Sequence, residues 1–403
     1  MIRKKILILG ANEYQTTLII RAKALGLRTV VCDPRTTVPG IALADTFYNV
    51  DCFDIEKIVA IGKKENVDGV VTNSEHLLKT MSQIALKLNL RALDIETIEL
   101  YCDKKLMREF CKKIGVVQPQ YQCCYTLQEA LAFYNRLQKK CIIKPLDNSA
   151  SKGVFSINSQ EELEMYFDEC IANACHLKAI LIEEYITGTE FTIDGIKTSE
   201  GHQCLAISEK KHYAHNENVA CQLYFSNENP EYDYSILRQQ NDYLVNNTNM
   251  AFGLTHAEYK YYDGKYYLIE IQARGGGSFI ATDIVPYISG IDPYDKFIEW
   301  CVGENVIIPN LYDKLSNRCA VLHFFDSDVD QGVVASIEGE DVLKACTKKY
   351  ALRFDVGDRI MKAANDGARI GYYIACEEDD ATLRNTMNKI DQEFKLTYHD
   401  EKL

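Results

Sequence analysis

Apolar and polar positions in the first hundred residues alternate between two rhythms. Ile6-Leu7-Ile8-Leu9 is an unbroken apolar run of buried-strand length, and Thr17 to Leu25 carries apolar residues at helical spacing that ends at Gly26. The alternation goes on as a strand over Thr29–Cys32, a helix over Ile55–Lys63, a strand over Gly69–Thr72 and a helix over Leu77–Leu88. Strands alternating with helices predict an α/β unit with a doubly wound parallel sheet. The turn after the first run, Gly10-Ala11-Asn12-Glu13, has one glycine where a dinucleotide fingerprint needs three. Asp33 ends the second strand, where such folds place a ribose acceptor. The pattern therefore predicts a Rossmann-like unit without a bound dinucleotide.

Beyond residue 100 the rhythm changes. A charged helix over Asp103–Gly115 runs into Val116-Val117-Gln118-Pro119, a natural boundary. Residues 140–196 read as strands with one helix, Gln160–Cys175, and residues 202–272 as strands with a long helix, Tyr234–Met250. After Pro309-Asn310, Gly332–Ile337 and Ala351–Ile360 read as short strands, with turns at Gly339 and Gly357-Asp358, and a helix spans Asp380–Phe394. This second part is α+β, with no internal repeat and no low-complexity stretch.

Composition narrows the classes. The 403 residues are enough for two to four domains at about 100–200 residues each. The net charge of −13 repels phosphate backbones, which argues against a nucleic-acid partner. Fifteen cysteines scatter through apolar runs with no CxxC spacing, which reads as reduced, packed thiols in a cytoplasmic protein. The run Ile6–Leu9 is too short for a signal peptide, and no stretch approaches the roughly 18 apolar residues of a membrane span.

Three segments carry chemistry. Glu258 and Glu270 stand in strand-like runs joined by Asp263-Gly264, so a hairpin would bring two carboxylates onto neighbouring strands. Period two puts Glu270, Gln272 and Arg274 on one face. Two carboxylates and an amide oxygen, with a guanidinium beyond, suit Mg²⁺ shared with substrate phosphates. The plainer alternative, a solvated strand face, accounts poorly for the flanking Tyr266-Tyr267-Leu268-Ile269. The second segment is Cys141-Ile142-Ile143-Lys144-Pro145 followed by the small-residue loop Ser149-Ala150-Ser151-Lys152-Gly153, which offers an ammonium and free N–H groups to phosphate. Taken alone, Lys144 also reads as a solvated strand end. The third, Glu183-Glu184-Tyr185-Ile186-Thr187-Gly188-Thr189-Glu190, fits an edge that reads adenine through its backbone and a ribose through Glu190, or simply a strand–turn–strand with exposed acids.

Together and in this order, these segments resemble the ATP-grasp superfamily, in its biotin carboxylase-like and carbamoyl-phosphate synthase-like branch, which includes carboxylate–amine ligases and L-amino acid ligases. The resemblance spans nearly the whole chain. It implies a Rossmann-like domain over residues 1–100 and a small ATP-grasp subdomain with its linker helix over 101–195. A large subdomain over 196–316 and a small α+β lid-like domain over 317–403 would follow. It implies Lys104 and Lys144 as nucleotide lysines, Ser149, Ser151 and Gly153 as the mobile phosphate loop, Glu183, Glu184 and Ile186 as the adenine hinge, Glu190 as the ribose acceptor, and Leu268 as a further nucleotide contact. Glu258, Glu270 and Gln272 would be the ligands of magnesium, with manganese as an alternative, and Arg274 would hold an acyl phosphate. The implied substrates are ATP, a small carboxylic acid and an amine, in a chain that stands alone or as a homodimer.

Departures from that pattern are Gln272 where asparagine is usual and Ala150 where glycine is common. No motif transfers for the acid or amine pocket. Lys211 falls where related enzymes keep substrate-side basic residues, and His212 and His215 beside it lack a third ligand at metal spacing. Asp283, about two helical turns beyond Gly275 if a helix starts there, either pairs with a substrate ammonium or decorates that helix.

Overall fold

The computed structural model describes residues 3–146, 153–174, 177–327 and 330–399. The expected parallel sheet is there: β1 (Lys5–Leu9), β2 (Arg28–Asp33), β3 (Thr46–Asn49) and β4 (Gly69–Val71) lie in the order β3-β2-β1-β4, all parallel. Ile6 to Leu9 are fully buried, as a strand with helices on both faces requires. Asp33 spends its carboxylate on the Ala11 N–H (2.8 Å) and on Arg35, whose guanidinium donates at 2.8 and 2.9 Å. That residue braces the turn after β1.

A second sheet is antiparallel, in the order β5-β8-β6-β7, and comprises β5 (Tyr121–Cys124), β6 (Cys141–Pro145), β7 (Phe155–Ile157) and β8 (Ile180–Glu184). Helices Leu127–Leu137 and Gln160–Ala172 cover it, through a core that includes Phe133, Leu163 and Phe167. The third sheet has eight strands. It contains β9 (Thr189–Thr198), β10 (Gly201–Tyr213), β11 (Asn216–Phe225), β12 (Gly253–Tyr262), β13 (Lys265–Gln272) and β14 (Cys319–Phe324). After β15 (Gln331–Glu338) come β16 (Lys349–Leu352), β17 (Arg359–Met361), β18 (Gly371–Glu377) and β19 (Lys395–His399). The eight run β13-β12-β9-β10-β11-β14-β18-β16, and β17-β15-β19 form a fourth, small sheet.

Strand β14 shows how the last part of the chain is joined on. Its residues alternate: Ala320, Leu322 and Phe324 enter the main core, while Cys319 and Val321 enter a second core with Val334, Leu343, Tyr373 and Leu383. One sheet thus separates two cores. The expected helices at Gln160 and Tyr234 end early, at Ala172 and Asn246, and the pattern gave no warning of β3 or of helices Ile95–Cys102 and Leu127–Leu137. Among the described residues, no helix is long and apolar enough to cross a membrane.

Candidate active site

The β12–β13 hairpin turns at Asp263 and Gly264, both at positive φ (+48° and +76°), a backbone that asparagine, aspartate and glycine adopt most readily. Its register sets Glu258 directly opposite Glu270 and His256 opposite Gln272. Like charges facing each other across a ladder repel, so this pair needs a cation. Here Lys210 supplies one, bonding Glu258 at 2.6 Å and Glu190 at 2.7 Å. Lys104, Lys144, Arg274 and Lys210 together outweigh the cost of burying Glu270 and hold its carboxyl below the usual range.

Glu258 and Glu270 stand where two cavities meet. The first lies between the second and third sheets and is lined by Lys104, Lys144, Glu183 to Ile186, Glu190, Lys260 and Ile269. The second is lined by Gln272, Arg274, Gly277 and Ser278, with Tyr14 from the first helix and Phe324, Arg353, Arg369 and Tyr372 from the C-terminal part. Three arginines and three carboxylates, Glu258, Glu270 and Asp366, line this second cavity, and Arg369 pairs with Asp366 at 2.7 Å.

Local structure explains how the lysines arrive. Asp103 caps helix Lys104–Ile114, accepting from the N–H groups of Lys105 and Leu106, which fixes Lys104 in the first turn at the mouth of the first cavity. One turn on, fully buried Arg108 donates to Glu183 and to the carbonyls of Leu268 and Ile269 (2.8 Å each). Glu183 also takes the Lys144 ammonium at 2.8 Å. Burial alone would raise the Glu183 carboxyl, but Arg108 and Lys144 bring it down to about 2. The Glu183 carboxylate therefore works from behind, positioning Lys144. Glu190 is surrounded by Lys210, His212 and Lys260, which hold it well below the usual carboxylate range in spite of burial.

Gln272 is buried, and its Oε1 has no hydrogen-bond partner. An orphaned amide oxygen beside two carboxylates is what a Mg²⁺ site offers, so the donor set fits the metal. Among the described residues no group of three or more His, Cys, Asp or Glu could hold a metal ion. A cation at Glu258, Glu270 and Gln272 must take further oxygens from a ligand, as a phosphate-shared ion does.

Three expectations are corrected. Lys211 is exposed on the other face of β10, near His323; strand alternation turns Lys210 and His212 to the cleft instead. Leu268 is in the core, because a β-bulge at Ile269 breaks the period of two and sends Ile269 to the cavity beside Glu270. Asp283 pairs with Lys349 at 3.1 Å and lines neither cavity; the chain after Gly277 enters a left-handed turn, with Ser278 and Phe279 at φ +49° and +66°, before a short π-helix at Ile280–Ile284. Ser149 and Ser151 lie outside the described residues, and Gly153 is at φ +71°. His215 bonds Ala363 O, apart from His212.

Arg108 and Asp194 lie outside the motifs, and Lys210, Lys260 and His256 stand within them without a role that spacing assigns; the structure adds all five, including a His256–Asp194 pair. In that pair Asp194 accepts from the His256 ring (3.1 Å) and from the Gly276 N–H (2.7 Å), tying the glycine turn to the hairpin.

The cleft between the two antiparallel sheets thus has lysines on one wall and a carboxylate pair on the other. Residues 137–283 match the ATP-grasp domain family, and the chain carries an ATP-grasp domain there. Two formate-dependent phosphoribosylglycinamide formyltransferases are similar in sequence. That of Prochlorococcus marinus subsp. pastoris is 27% identical over 207 residues, 50% of this chain and 52% of that protein. That of Prochlorococcus marinus strain MIT 9515 is 24% identical over 313 residues, 76% of this chain and 74% of that protein. The chain thus spans about half the length of several curated relatives it matches. An L-amino acid ligase from Bacillus licheniformis superposes with a TM-score of 0.81 at 20% identity, covering 99% of both chains, which shows a shared fold.

Proposed function

We propose that this protein is an ATP-dependent carboxylate–amine ligase that activates a small carboxylic acid as an acyl phosphate and joins it to an amine, releasing ADP and phosphate. One observation carries the reading: Glu258 and Glu270 line both cavities, so a cation they hold lies between a nucleotide and a second substrate. The named activities of the similar proteins support the same class of chemistry.

The first cavity takes the nucleotide. Backbone groups of Glu184 to Ile186 face the base, Glu190 the ribose, and the ammonium groups of Lys104 and Lys144 the phosphates. Glu258, Glu270 and Gln272 would hold Mg²⁺, which would spread the charge of the transferring phosphoryl group. The acid sits in the second cavity, its anion drawn by Arg274, and attacks the γ-phosphate; ADP is the leaving group. Arg274, which lines the second cavity, then holds the acyl phosphate and the oxyanion formed when the amine attacks, while the Gly276 N–H stays with Asp194. Phosphate departs with the C–O bond pair and the amine loses its proton.

The test is an ADP-release screen over small acids paired with amino acids and other amines, with mass detection of the product. Glu270→Ala should abolish turnover. Near-normal release in that variant would overturn the site assignment, and ADP release that requires no amine would point to another acceptor.

A further inference from the structure

Lys210 stands on β10 in register with Glu190 of β9, and its side chain reaches diagonally past Thr192 to Glu258 of β12. It is about nine-tenths buried and touches two groups that the proposed function gives to different ligands: Glu190 to the ribose, Glu258 to the metal. Around Glu270 the protein sets Lys104, Lys144, Lys210 and Arg274, of which Lys144 also pairs with Glu183, Lys210 with Glu190 and Arg274 with Glu75. Lys210 makes direct contact with Glu258, one of the carboxylates the proposed function gives to the metal.

We propose that Lys210 is an internal counter-ion that withholds Glu258 from a bare divalent cation and yields it when nucleotide enters, so that metal binding depends on nucleotide. The inference rests on the proposed ATP-and-metal reading of this site. A divalent ion arriving alone meets an ammonium already on Glu258. Phosphates bring negative charge that draws the ammonium off Glu258 and adds oxygens for the ion. The displaced ammonium has somewhere to go, since Glu190 holds it at 2.7 Å independently of Glu258. Lys260, 3.9 Å from Glu190, and His212, at 3.4 Å, keep that carboxylate ionised during the exchange. Nucleotide and metal should then favour each other's binding by the same factor. The device would keep the two carboxylates neutralised in the empty protein and reserve them for a cation that comes with phosphates.

The test uses Mn²⁺ as a paramagnetic probe on the full chain. The electron-spin signal of free Mn²⁺ is titrated with and without ADP, and corrected for Mn²⁺–ADP formed in solution. The parent should bind Mn²⁺ at least about tenfold more tightly with ADP than without. In Lys210→Met the nucleotide-free affinity should rise about tenfold or more, the scale expected for removing a unit charge a few ångströms from the site. The enhancement by ADP should shrink by the same factor. Lys210→Gln keeps a donor between the two carboxylates without the charge; it should behave likewise and serves if the methionine variant does not fold. Lys211→Met, on the other face of β10, should match the parent. Unchanged or weaker nucleotide-free Mn²⁺ binding in both Lys210 variants overturns the counter-ion role while leaving the metal site standing. A parent that takes up no Mn²⁺ even with ADP overturns the metal reading itself, and this inference with it.

Discussion

The Gln272 amide oxygen is buried without a partner, a condition that costs about 1–3 kcal/mol in the empty protein. A metal ligand explains why such a group is kept. Gln272→Asn should retain substantial ADP release, since an amide oxygen remains within reach. Gln272→Leu should lose turnover at least about a hundredfold while its thermal midpoint holds or rises, because an unsatisfied polar atom is gone. Equal turnover in all three proteins would remove Gln272 from the ligand set. At this scale the hairpin carboxylates were legible, because residue type, spacing and the Asp263-Gly264 turn all agree. Lys210 was not. Lys210-Lys211 is a doublet whose phase is set by pairing with Glu190 on β9, and pairing cannot be read from one strand.

Elements were legible where one rhythm persists, as in β1 and the helix Glu13–Ala24 after it. They failed where register intervenes: the bulge at Ile269 exchanges the places of Leu268 and Ile269, and periodicity contains no sign of it. Helix Leu127–Leu137 had a signal that went unused, since Thr126 and Glu129 form a capping box. The helix that carries Lys104 depends on Arg108, which locks it to Glu183 and to the β13 backbone. Arg108→Met should cost about 3–5 kcal/mol, because Glu183 stays buried with only Lys144 as a partner. Glu183 has a folded pKa of about 2, below its unfolded value near 4.5, so its stabilisation is complete above that value and is lost as pH falls toward 2. Thermal unfolding against pH should show the parent weakening over that window and Arg108→Met weakening from a higher pH. Superimposable curves would mean that the pair contributes nothing.

Across the whole molecule, the second cavity draws on the first helix (Tyr14), the hairpin and its glycine turn, and the C-terminal part (Phe324, Arg369, Tyr372). Such convergence is hard to read from a sequence, since no local pattern shows which distant segments share a wall. A chain ended at Ser316 removes β14 and with it Ala320, Leu322 and Phe324 from the main core. It should be insoluble or inactive; a soluble product with full ADP release would show that the C-terminal part is dispensable to the site.

The position of β14 also matters while the chain is being made. Synthesis runs at about 5–20 residues per second, so β9 to β13 emerge and can pair several seconds before β14 does. During that interval β11 is the last strand of an unfinished sheet, its backbone donors and acceptors open along an edge that carries Leu223 and Phe225. An open apolar edge is a template for pairing with another chain. The residues that complete the second cavity therefore also close the edge through which nascent copies would stick together, so crowding on a message and slow elongation past residue 225 become hazards for this fold.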